Sequence, residues 1–87
     1  MSYQATSAEA FASIAHDITA MQARVYRCIL KDGPLTDEEL FRLSGLAPNT
    51  ARPRRIELVA KGLVRSVEGR RGITSTGRSA LLWEVAK

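Results

Sequence analysis

A short helix, a three-residue turn and a longer helix, written between Thr36 and Gly62, constrain this chain more than any other feature. Thr36 stands three residues before Glu39, the spacing at which a hydroxyl and a carboxylate each satisfy the other's backbone donor at a helix start. Leu40 and Leu43 supply the apolar side of that helix, and Ser44-Gly45 closes it after about two turns, since glycine takes the left-handed cap conformation without steric cost. Leu46-Ala47-Pro48 then makes a tight apolar turn. Asn49 and Thr50 are candidate caps for the next helix, which reaches Lys61 and stops at Gly62. Pro53 is harmless in a helix begun at Asn49 or Thr50, because the first turn needs no backbone donor, but it would kink one begun at Pro48. The later start, over about residues 49–61, is therefore expected.

The flanking segments follow the same local rules. Ser7 to His16 reads as a short helix, with Ser7 as cap, Glu9 in the favourable first turn and a partly apolar surface from Ala8, Phe11, Ala12, Ile14 and Ala15. A second helix starts near Thr19, where Thr19 and Gln22 have capping-box spacing. It runs to about Lys31 with Met21, Val25, Cys28 and Ile29 in helical phase, and Gly33-Pro34 ends it. Pro34-Leu35-Thr36 is a short extended link. Beyond Gly62, Leu63 to Val67 alternates as a strand does, Glu68 to Ser79 is a loop rich in Gly and Arg, and Ala80 to Val85, with Trp83, returns as a second strand. Trp83 is expected to fill the core or a dimer surface.

Charge divides the chain. Of a formal net charge of +4, the stretch from Arg52 to Arg78 carries +6, with Arg52, Arg54, Arg55, Lys61, Arg65, Arg70, Arg71 and Arg78 opposed only by Glu57 and Glu68. The remainder carries −2. A one-sided basic charge is the footprint of a polyanion binder, because each neutralised phosphate releases condensed counterions.

From Met21 to Val85 the order and spacing of these pieces resemble winged helix-turn-helix regulators, including MarR-like proteins and small phage-type DNA-binding proteins. The resemblance rests on Gly33-Pro34-Leu35-Thr36-Asp37-Glu38-Glu39-Leu40, which opens the first helix of the motif, and on Thr50-Ala51-Arg52-Pro53-Arg54-Arg55-Ile56-Glu57-Leu58-Val59-Ala60-Lys61-Gly62-Leu63-Val64, which runs from recognition helix into wing. Arg70-Arg71-Gly72-Ile73-Thr74-Ser75-Thr76-Gly77-Arg78 looks like a basic wing loop and tip. The fold class implied is α+β, mainly α: a three-helix core with an N-terminal helix and a C-terminal two-stranded β wing over residues 63–85. Residues 1–18 form an N-terminal segment and 19–87 the domain proper.

The resemblance implies double-stranded DNA as partner, with the recognition helix in the major groove and the wing on backbone or minor groove. Side-chain chemistry agrees, since Asn and Arg pair with adenine and guanine edges and Thr reaches phosphate or a thymine methyl. Asn49, Thr50, Arg52 and Arg54 are the base-side candidates. Arg55 ranks below Arg54, its stem directed along the core with the head escaping to solvent or phosphate. Arg70, Arg71 and Arg78 are assigned to phosphates or the minor groove, and Lys61 and Arg65 to flanking charge. A homodimer reading two half-sites through the N-terminal helix or the last strand is compatible with this.

Other classes find little support. His16-Asp17 is the one histidine-carboxylate neighbour pair, no nucleophile accompanies it, and adjacent helical residues diverge, so no enzyme activity is expected. One Cys and one His make no structural zinc site, Cys28 sits in apolar phase, and Gly69-Arg70-Arg71-Gly72 lacks the ending of a nucleotide loop, so neither cofactor nor metal is expected. Without a secretory signal or a membrane span, the expected location is cytoplasmic, at the nucleoid when DNA is bound. The competing reading is a winged-helix protein-interaction module, because fold alone does not decide function.

Overall fold

Helix α1 (Ala20–Asp32) begins where its capping box lies: Gln22 N donates to Thr19 Oγ1 over 3.2 Å and Thr19 N to Gln22 Oε1 over 3.0 Å. Its buried side is Gln22, Val25, Tyr26 and Ile29, one stripe of a 3.6-residue period. The computed structural model describes residues 14–86. The helix expected from Ser7 therefore lies largely outside the described residues, and its described end is a 3-10 turn, Ala15–Asp17.

Helix α2 (Asp37–Ser44) carries the second capping box, with Glu39 N donating to Thr36 Oγ1 over 3.1 Å and Thr36 N to Glu39 Oε1 over 2.9 Å. Asp37, Glu38 and Glu39 crowd its first turn, where the helix dipole favours negative charge. Gly45 ends it at φ 73°, and the Arg24 guanidinium donates to Ser44 O over 3.0 Å, satisfying a carbonyl that has no partner within the helix.

Helix α3 (Pro48–Ala60) corrects the expected start at Asn49 or Thr50. Ala47 is the cap residue, its carbonyl accepting from Thr50 N and Ala51 N at 2.9 Å each, so neither Asn49 nor Thr50 caps. Pro48 suits the first helical position because its missing N–H was never needed there. Pro53 lies inside the helix and removes only the bond to Asn49 O, whose residue is exposed to water. What holds the longer helix together is tertiary: Ala51, Arg55 and Leu58 are all buried on one side.

The wing also departs from expectation. β1 spans Val64–Ile73, so Glu68 to Ile73, read as loop, belongs to the strand; β2 spans Ser79–Val85. They pair antiparallel from Val64↔Val85 to Ser66↔Trp83, then slip and resume at Arg71↔Leu81, which leaves residues 67–70 opposite Leu82 alone. Gly69, at φ 78°, permits that bulge. Gly72 is needed for another reason: a Cβ there would stand 2.5 Å from Thr36 Cγ2 and 3.0 Å from Leu82 Cδ2. Leu35 binds the free edge of β2, exchanging backbone bonds of 2.9 and 2.7 Å with Trp83.

Val25, Tyr26, Ile29, Leu35, Leu40, Ala51, Leu58 and Val64 form the core where the three helices meet the base of the hairpin, with Ile14 and Ile18 packed against it. Three helices followed by an antiparallel hairpin constitute a winged-helix fold of mainly α character.

Candidate nucleic-acid interface

At roughly 100° per residue, the side of α3 opposite Ala51, Arg55 and Leu58 carries Asn49, Ile56 and Ala60, with Arg52 on its edge toward α2; all four are exposed. Arg52 projects from it with its side chain 53% exposed. Its guanidinium lies 5.1 Å from the Phe41 ring centre, and its Nε is 3.5 Å from Asp37 Oδ2, so two loose contacts orient a head that remains in water. Thr50 is half-buried beside this stripe. Arg54, expected at the base side with Arg52, is drawn to the α1 flank. Its Nη2 donates to Glu57 Oε2 over 2.8 Å, while Gln22 of α1 donates to Glu57 Oε1 over 2.8 Å. Among the described residues the buried Arg54 Nε has no hydrogen-bond partner.

Arg55 corrects the expectation that its head escapes to solvent or phosphate. The residue is only 9% exposed. Its Nε donates to Asp37 Oδ1 over 2.8 Å and its Nη2 to Asp37 Oδ2 over 2.6 Å, a two-pronged charge-assisted pair. The same guanidinium lies 4.0 Å over the Trp83 ring. Arg55 thus ties α3 to the start of α2 and to β2, and Trp83 serves the fold rather than presenting a bare aromatic surface. Burial explains the difference: a cation kept from water is held by a carboxylate and a π face together.

On the wing, Arg70, Arg71 and Arg78 are exposed, and among the described residues they form no ion pair. Lys61 and Arg65 are surface cations already engaged, Lys61 Nζ with Asp17 O and Arg65 Nε with Glu84 Oε2, each over 2.8 Å. The wing tip is fastened to α2 by Glu38, which accepts from Ser75 N over 2.7 Å and from Ser75 Oγ over 2.6 Å. The Ser75 hydroxyl, then the Ser75 amide, hold the Glu38 carboxyl below the usual glutamate range, with a lesser contribution from the Arg42 charge. Burial pushes the Cys28 thiol up, as expected of an inert apolar cysteine.

Sequence reasoning missed Ile56, Asp37 and Glu38. Ile56 had a signal, one helical turn beyond Arg52 on the same stripe; Asp37 and Glu38 looked like ordinary first-turn acids. His16 Nε2 and Asp17 Oδ2 approach to 3.6 Å in the 3-10 turn, closer than helical neighbours were expected to come, but both side chains are largely in solvent. Among the described residues no group of three or more His, Cys, Asp and Glu is placed to hold a metal ion, and no helix is long and apolar enough to cross a membrane.

No family profile and no curated protein matches the sequence. A solved structure that it resembles is described as a "possible transcriptional regulator" from Methanosarcina mazei Go1, with a TM-score of 0.62 at 14% identity over 92% of this chain. The chain spans 66% of that protein's length. At this identity the likeness is one of fold, and it agrees with the winged-helix architecture derived above.

Proposed function

We propose that the chain binds double-stranded DNA sequence-selectively, as a cytoplasmic transcriptional regulator or phage-type accessory factor. In this reading α3 enters the major groove and the wing lies on the backbone or in the adjacent minor groove. The observation that carries it is one combination: an exposed side of α3 bearing Asn49, with Arg52 at its edge, and a wing bearing Arg70, Arg71 and Arg78, which form no ion pair among the described residues. Asn49 and Arg52 address base edges, and Thr50 and the three wing arginines address phosphate or the minor groove. Arg54 contributes a phosphate contact at the α1 flank by exchanging its Glu57 partner, and Lys61 and Arg65 add flanking potential without leaving theirs. Arg55 is omitted from the contact set because its charge is consumed internally.

A single domain of this size offers few base contacts, so a homodimer on two half-sites fits the reading. Light scattering that returns a monomer with and without DNA removes the dimer. The function itself is tested by binding to random duplex and to a selected duplex pool across a salt series, with the Arg52→Ala/Arg54→Ala variant alongside. A steep salt slope with an enriched motif that the variant loses is the expected result. No duplex binding at low salt overturns it and leaves a protein-interaction module, for which the exposed apolar Ile56 and Val59 of α3 would form the contact.

A further inference from the structure

The outer stripe of α3 contains a residue that neither electrostatics nor folding explains. Ile56 is 51% exposed on the side of the helix opposite the core, one turn from Arg52 and two from Asn49. It makes no part of the hydrophobic cluster, whose α3 members are Ala51 and Leu58. Arg52 precedes it by four residues, the spacing of neighbours on a helix surface, and its guanidinium leans toward Phe41 and Asp37 of α2, so a cationic and a branched aliphatic residue adjoin on the exposed part of α3.

Resting on the duplex-binding reading, we propose that Ile56 is a specificity-determining residue that reads the C5-methyl group of a thymine in the major groove. That groove is about 12 Å wide and admits one helix, and thymine is the base that offers an apolar group there. Arg52 and Ile56 are separated by one helical turn, about 6 Å along the axis at 1.5 Å per residue. Base pairs repeat about every 3.4 Å, so the thymine lies one or two steps from the base that Arg52 addresses. An isoleucine half in water loses little by facing bulk solvent in the free protein. It gains when the methyl and its own side chain shed water together.

The test uses the full chain and the duplex enriched from a random pool. Each thymine of the motif is replaced singly by deoxyuridine, which removes the methyl and leaves every hydrogen-bonding group in place. Expected is a loss of about fourfold in affinity at one thymine, the factor that burial of one methyl-sized group supplies. In the Ile56→Ala protein the same replacement changes nothing, while the salt slope stays that of the parent. The substitution is on the surface, and an unchanged circular dichroism melt confirms an intact fold. Indifference of the parent to every deoxyuridine, an enriched motif without thymine, or an Ile56→Ala protein as sensitive as the parent would each overturn the assignment and leave duplex binding standing. Absence of any duplex binding overturns both readings together.

Discussion

Removing the Asp37 carboxylate should destabilise this domain more than any other single change at a charged residue. In Asp37→Ala the Arg55 guanidinium, 11% exposed at its side chain, keeps its charge and its place over Trp83 but loses both hydrogen bonds, at 2.8 and 2.6 Å. Stranding one partner of a buried pair costs 3–5 kcal/mol; because Asp37 is itself 23% exposed and water can enter, the lower end applies, about 3 kcal/mol. For a domain of this length that is a fall of about 12–24 °C in melting temperature. The paired substitution Asp37→Leu/Arg55→Met replaces both charges with apolar bulk and should return to within about 1 kcal/mol of the parent. Urea unfolding followed by far-ultraviolet circular dichroism measures both proteins. A loss below about 1 kcal/mol in Asp37→Ala, or a double variant no better than the single, would refute the claim that an unpaired buried cation is the cause.

Three other outcomes are expected. Because Glu38 titrates below its ordinary value in the folded protein, its clasp on Ser75 is fully present above the unfolded glutamate value of about 4.3 and is lost as pH falls through the lower folded value. The Ser75 amide resonance should report that midpoint, and the step should vanish in Glu38→Gln. Gly72→Ala forces a methyl against Thr36 and Leu82 and should cost about 1–3 kcal/mol by thermal melting, whereas Gly77→Ala, where the added methyl meets nothing, should show only the smaller backbone cost of its positive φ. Arg70→Ala/Arg71→Ala should leave stability unchanged and flatten the slope of log affinity against log salt by about 2, one for each phosphate contact removed; an unchanged slope would show the wing to be off the duplex.

Much of the helical framework was legible because its causes are local. Thr19 with Gln22 and Thr36 with Glu39 act across three residues, and Gly33, Gly45 and Gly62 terminate helices by their own conformational freedom or position. The uneven charge and the order of elements likewise need no partner to be read. The start of α3 is not legible in the sequence, because Pro53 taken alone favours a later start, whereas burial of Ala51, Arg55 and Leu58 outweighs one missing bond. Arg54 and Arg55 are neighbours of identical chemistry, and what separates them is Glu57 on one side and Asp37 with Trp83 on the other. The length of β1 depends on a register slip opposite Leu82 and on the close approach of Gly72 to Thr36. Short-range hydrogen bonds and backbone freedom are properties of the chain itself. Which arginine is buried, which faces outward beside Ile56, and how far the wing reaches are decided only when segments distant in sequence compete for the same space, and that competition is settled in the tertiary structure.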